Sequence, residues 1–118
     1  MPNPTARTLQ LLRRHGYLAA VCEHWNPFAR VRCDLFGFAD VLAVRAGAPV
    51  LAVQATSVSN HSARVRKARA LPQLRTWLGA GCAFEVWGWA KRKGRWCCRR
   101  QALTPADLPD FVTSSPQV

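Results

Sequence analysis

Acidic side chains are scarce in this chain: six Asp and Glu stand against 17 Lys and Arg in 118 residues, a formal net charge of +11 with a sequence pI near 11.0. A surface so short of carboxylates is unsuited to a basic partner and points to a polyanion, of which nucleic acid is the commonest. Fourteen of those 17 cations are Arg, the side chain that makes forked contacts to phosphate. Long apolar runs are missing as well. None approaches the roughly 18 to 20 residues of a membrane span, and the N-terminus has no apolar signal core, so a soluble intracellular protein is expected.

Zinc-type cysteine spacing is the next absence. Cys22, Cys33, Cys82, Cys97 and Cys98 contain no C-x2-C pair, are odd in number and lie mostly in apolar strand-like runs, which predicts buried reduced thiols. No internal repeat or low-complexity tract appears. With 49% hydrophobic residues, a chain of 118 suffices for one core and one domain. We expect that domain to span residues 1–113, with a flexible tail at 114–118.

Local punctuation divides the chain. Asn3 before Pro4 is an N-cap with proline in the first turn, and Leu9, Leu11 and Leu12 form a stripe that Gly16 ends, so a helix is predicted over 4–15. Residues 17–25 read as a strand stopped by Asn26-Pro27, and a basic loop with Arg30 and Arg32 follows. Residues 38–45 and 50–56 read as an antiparallel hairpin turning through Ala46 to Pro49. A helix capped by Asn60 or Ser62 and split at Pro72 comes next. Strands at 82–89 and 96–103 flank the basic turn with Lys91, Arg92 and Lys93, and a helical turn follows Thr104-Pro105. The order of helix, three strands, helix and two strands describes an α/β (α+β) fold with a mixed sheet.

Chemistry concentrates on the hairpin. Side chains two apart on a strand share a face, so Gln54 lies with Ala52 and Thr56, and Asp40 with Leu42 and Val44. Asp40 and Gln54 stand at corresponding distances from the turn and converge. Their two oxygens, the main-chain carbonyl of Ala55 and waters can hold Mg²⁺, which keeps several waters. Glu23 interrupts an apolar run and either reaches the same metal or pairs with Arg30 or Arg32. Asp34 either adds a ligand or fixes the turn before the strand, with a supporting role favoured.

The order helix, β, β, β, helix, β, with "GFADVLAV" and "VLAVQATS" at this spacing, resembles the PD-(D/E)XK superfamily of restriction-endonuclease-like and Holliday-junction-resolvase-like nucleases. The likeness covers residues 4–91 and implies an αβββαβ core with a mixed central sheet, here with one extra C-terminal strand. Runs of the form DLFGF-x-D, Q-x-TS-x-SN and EVWGW-x-K are similar to those of small phage and bacterial proteins. The resemblance implies a DNA endonuclease hydrolysing phosphodiesters with Mg²⁺ or Mn²⁺, acting on branched or structured DNA, cytoplasmic in a bacterium or phage-infected cell, with a homodimer reasonable.

Carried over by position, Asp40 matches the metal-binding aspartate, Gln54 falls where the second acid sits, and Thr56 falls where the catalytic lysine sits. A lysine there would stabilise charge at the phosphate and position the attacking water. The resemblance allows that role to move to the next helix, which makes Lys67 the candidate cation, with Arg64 as alternative or phosphate clamp. The other reading is a nucleic-acid-binding protein on the nuclease fold with impaired cleavage. Ser57, Ser59 and Asn60 at a helix N-terminus suit phosphate. Arg30, Arg32, Arg66, Lys91, Arg92 and Lys93 are further nucleic-acid contacts, and Trp77, Trp87 and Trp96 are expected to fill a small core.

Overall fold

The computed structural model describes residues 3–109. The chain forms α1 (Pro4–Arg14), β1 (Leu18–Val21), β2 (His24–Asn26), β3 (Val31–Cys33), β4 (Val41–Val44), β5 (Leu51–Ser57), α2 (Val58–Arg69), α3 (Pro72–Gly79), β6 (Ala83–Arg92), β7 (Arg95–Leu103) and a 3₁₀ turn at Pro105–Asp107. A mixed five-stranded sheet has the order β1-β4-β5-β6-β7, and β2 and β3 pair separately. The expected tail at 114–118 lies outside the described residues. No described helix is long and apolar enough to cross a membrane.

The first helix forms where its punctuation places it. Asn3 Oδ1 accepts the Ala6 N–H at 2.9 Å, Pro4 occupies the first turn, and the His15 N–H closes onto the carbonyls of Leu11 and Leu12. Leu12 and Thr8 are buried against the sheet, and Thr8 Oγ1 accepts the indole N–H of buried Trp89 at 3.0 Å. That bond ties two residues 81 apart in sequence.

Strand alternation sorts the sheet into two apolar layers. Val41, Ala43, Leu51, Val53 and Trp87 meet Leu12 of α1 on one face. On the other, Ala52, Phe84, Val86 and Leu103 meet Val65 and Ala68 of α2 and Leu74 and Leu78 of α3. The register Val41↔Val53 and Leu42↔Ala52 fixes the β4–β5 hairpin, and Gln54↔Val86 and Thr56↔Gly88 align β5 parallel to β6. Parallel pairing requires the crossover that α2 and α3 provide. Asp40, one step outside the β4 pairing, therefore shares the face of Gln54, Thr56 and α2.

Two expectations about elements are corrected. The predicted strand over 17–25 breaks after Val21. Its last tie to the sheet is the Cys22 N–H to the Asp40 carbonyl at 2.8 Å, after which Glu23 turns away and β2 starts a hairpin with β3 inside what reads in sequence as a basic loop. Helix α2 starts at Val58, ahead of Asn60 and Ser62, and its cap residue Ser57 makes no side-chain cap bond. Gly88 accounts for the close seating of that helix end: a Cβ there would lie 3.0 Å from His61 Cδ2 and 3.2 Å from the Val58 Cα.

The aromatic and thiol expectations change in part. Trp87 is fully buried and Trp77 half-buried, whereas Trp96 is exposed, with Arg7 Cζ 3.5 Å above its ring. All five cysteines are free; Cys97 is exposed and the others half-buried. A two-residue turn explains the exposure of that region: Lys93 and Gly94 both take positive φ, joining β6 and β7 into a ribbon whose far end leaves the core.

Candidate metal centre

Three of the chain's six acids converge at the end of β4. Single carboxylate oxygens of Glu23, Asp34 and Asp40 lie within 4.8 Å of one another. Each arrives from a different segment: Glu23 between β1 and β2, Asp34 directly after β3, and Asp40 directly before β4. A bridge between Leu35 and Ala39 closes the loop between the two aspartates, and Gly37 takes φ +85 within it. The Asp34 carbonyl accepts the Gly37 N–H at 3.0 Å, so the residue fixes the turn with its backbone and gives its carboxylate to the cluster.

Asp40 is the most constrained member. Only 6% of it is exposed; its N–H donates to the Val53 carbonyl at 3.0 Å and its Oδ2 accepts the Ala55 N–H at 2.8 Å. Burial, the hydrogen bond to Asp34 and the charges of Asp34 and Glu23 push its carboxyl up to about 8. Near neutral pH it therefore keeps its proton and donates it toward Asp34. Like charges at this range cannot all ionise without a compensating cation.

Gln54 is placed by the same geometry, in a role that differs from the one read in sequence. Its side chain is buried, and Nε2 donates to Asp34 Oδ2 at 2.7 Å. The amide thus orients a carboxylate, and Ala55 contributes its N–H to Asp40. Thr56 is buried two residues along the same face and brings no charge. Cys22 also borders the cluster: its Sγ donates to the Ala39 carbonyl at 3.3 Å, and burial together with Asp40, Asp34 and Glu23 pushes the thiol up to about 11.

The candidate cations are not drawn in. Arg69 donates from Nε to the Asp107 carbonyl on the β7 side of α2. At 3.6 residues per turn, Arg64 and Lys67 leave α2 on the flank away from Arg69. Arg64 is half-buried there and Lys67 exposed. Among the described residues, the ion pairs are Glu23 with the exposed Arg32 at 3.9 Å and Glu85 with Arg100 at 3.1 Å, so neither Arg64 nor Lys67 is paired to the cluster. Among the described residues, Asp40 and Asp34 have no cationic partner, in a chain with 17 cations.

The nucleic-acid candidates lie on several elements. Ser57 and Ser59 share a 2.9 Å hydroxyl bond at the start of α2, and Asn60 is exposed in its first turn. Arg66 is exposed on α2, Lys91, Arg92 and Lys93 crown the β6–β7 ribbon, and Arg30 and Arg32 belong to the β2–β3 hairpin. His61 is buried beneath α2: its Nε2 bonds the Val86 carbonyl at 3.2 Å, its Nδ1 has no partner, and burial lowers its pKa. His24 lies in β2.

The donor set suits a hard divalent ion. All three ligand atoms are carboxylate oxygens, which favour Mg²⁺ or Mn²⁺ over the softer metals that select thiolate and imidazole. Compared with models of known protein families, with curated proteins and with solved structures, the chain gives no match.

Proposed function

We propose that this protein is a metal-dependent DNA endonuclease of the PD-(D/E)XK type, with Asp40, Asp34 and Glu23 as the metal-binding acids and Gln54 as the residue that positions Asp34. The observation that carries the reading is the convergence of three carboxylates within 4.8 Å, two of them without a basic partner among the described residues, in a chain of net charge +11. Such an arrangement costs stability unless a cation joins it. Its place also supports the reading: leaving aside the separate β2–β3 hairpin, the chain runs α1, β1, β4, β5, the α2–α3 crossover and parallel β6, with the acids at the β4–β5 pair, which matches the αβββαβ core of that superfamily.

In this reading Glu23 and Asp34 restore the negative charge that Gln54 lacks. A bound Mg²⁺ or Mn²⁺ would supply Lewis-acid polarisation of the phosphoryl group and a bound water of lowered pKa. Asp40, Asp34 and Glu23 would hold the ion, with Asp40 ionised in that state. Arg64, half-buried on α2, and exposed Lys67 are the cations that would neutralise charge on the phosphate. Ser57, Ser59, Asn60 and the basic ribbon hold the backbone on either side.

Thr56 favours a second reading, a nuclease fold that binds nucleic acid and cleaves poorly, because the position that carries a lysine in the superfamily is buried and uncharged. One assay separates the two. Supercoiled, branched and single-stranded DNA are incubated with the protein in Mg²⁺, Mn²⁺ or chelator, beside Asp40→Asn. Metal-dependent nicking lost in Asp40→Asn is the expected result; nicking that persists unchanged in that variant removes the assigned site. Salt-sensitive binding with no nicking supports the second reading.

A further inference from the structure

The β2–β3 hairpin stands on the acid cluster, with Glu23 immediately before its first strand and Asp34 immediately after its second. Its tip exposes what a soluble protein ordinarily covers. Phe28 is 97% exposed and Trp25 56%, in a hairpin that also carries Arg30 and Arg32. Scattered apolar residues on a surface need no explanation, but a fully exposed phenyl ring at a rigid tip does.

The tip is rigid by construction. Asn26 Oδ1 accepts the N–H groups of both Phe28 and Ala29, at 2.9 and 3.1 Å, and the Asn26 carbonyl accepts the Arg30 N–H at 2.7 Å. Pro27 fixes its own φ, and Arg30 takes φ +57 to bring the chain back into β3. These bonds hold the loop so that Phe28 points out with no neighbour to pack on.

From these observations we infer that the hairpin is a base-stacking wedge: Phe28, with exposed Trp25 in the same hairpin, enters an unstacked or easily unstacked step of a nucleic acid, while Arg30 and Arg32 take the adjoining phosphates. The inference rests on the nuclease reading for its partner and deepens it by assigning the element that would recognise a distorted step, a branch, bulge or gap, beside the bond brought to the acids. Apolar side chains inserted between bases use pre-existing distortion, because unstacking is the energetic cost of their entry. Aromatic rings beside arginines also match the π-face and charge of exposed bases without demanding a sequence. The net charge of +11 supplies complementarity to that partner.

The test measures binding in chelator, so that it does not depend on cleavage. A uniform duplex and the same duplex with a single-nucleotide bulge, each carrying 2-aminopurine beside the central step, are titrated with wild type, Phe28→Ala and Asp40→Asn. Phe28 makes no buried contact, so its removal leaves thermal stability unchanged, which melting verifies. Wild type is expected to prefer the bulged duplex and to brighten the 2-aminopurine, and Phe28→Ala to lose about 5- to 150-fold of its affinity for the bulge with little change on uniform duplex. An unaltered preference and fluorescence change in Phe28→Ala overturns the wedge even where the wild type cleaves. A preference retained in Asp40→Asn, with cleavage unaffected by that substitution, upholds the wedge and removes the metal site instead. Tight binding to anionic phospholipid vesicles that Phe28→Ala abolishes, without any effect on DNA, overturns the inference in favour of a membrane-surface role.

Discussion

Gln54 and Asp34, 20 residues apart in sequence, meet through a 2.7 Å hydrogen bond from the buried amide to the carboxylate. A glutamate at position 54 would lose that donor and set a fourth carboxylate against three others. Loss of a hydrogen bond to a charged group costs roughly 1.5–3 kcal/mol, before any repulsion. Gln54→Glu is therefore expected to melt lower by roughly 10 °C in chelator, and millimolar Mg²⁺ should recover much of the difference. Equal melting temperatures in chelator would show that Gln54 does not hold Asp34.

Asp40 predicts an unusual pH dependence. Its carboxyl keeps a proton up to about pH 8 in the folded protein, whereas an unfolded aspartate releases it near pH 3.9. The unfolded state thus binds fewer protons across that window, so this group's contribution to stability falls as pH rises from about 4 to 8. Asp40→Asn keeps an oxygen for the Ala55 N–H and a donor toward Asp34. In chelator at pH 8 the variant is expected to be the more stable of the two, and at pH 4 the difference should vanish. Divalent ions reverse the order at pH 8, because only the wild type exchanges its proton for a metal, and calorimetry below pH 8 should record that proton's release.

How far the site could be read in advance follows from how each residue reaches it. Asp40 and Gln54 were legible because a short hairpin with strand alternation fixes which residues face each other. The role of Gln54 was not, because it depends on Asp34, which arrives from a loop whose closure through Leu35 and Ala39 leaves no periodic trace. The break after Val21 was hidden for a related reason. Residues 17–25 are apolar enough to continue a strand, but β4 offers partners only as far as the Cys22–Asp40 bond, and Glu23 then turns to its acid neighbours. Asn60 and Ser62 misled as caps because the helix enters earlier, at Ser57, whose hydroxyl bonds Ser59 and makes no cap bond, while Gly88 leaves the room for that end to seat closely.

Gly88 gives a prediction about that packing. Alanine there would press its Cβ to 3.0 Å from the His61 ring and 3.2 Å from the Val58 backbone, and neither yields easily, since His61 is buried and Val58 begins the helix. Overpacking of this kind costs about 1–3 kcal/mol. Gly88→Ala is expected to lower the melting temperature accordingly and, on the proposed reading, to weaken DNA binding by moving Ser57 and Ser59 at the start of α2. A fully stable variant would mean that the helix end slides without resistance.

Thr56 offers the most direct approach to the missing cation. It shares the face of Gln54, about 6.6 Å along β5 by strand rise, so a lysine stem from this position extends toward the Asp40 carboxyl. An ammonium there would favour ionised Asp40, drawing the upper end of the pH window over which stability falls from about 8 toward 4 and so shrinking that loss, and would supply charge to a phosphate at the acids. Thr56→Lys is expected to show both effects, with at least about tenfold faster nicking of DNA in Mg²⁺, whereas Thr56→Val should show neither. The two readouts separate the premises. An unshifted pH profile in a folded Thr56→Lys variant would show that the ammonium does not reach the acids. A shifted profile without any gain in nicking would place the ammonium correctly and leave a protein that binds nucleic acid without cutting it.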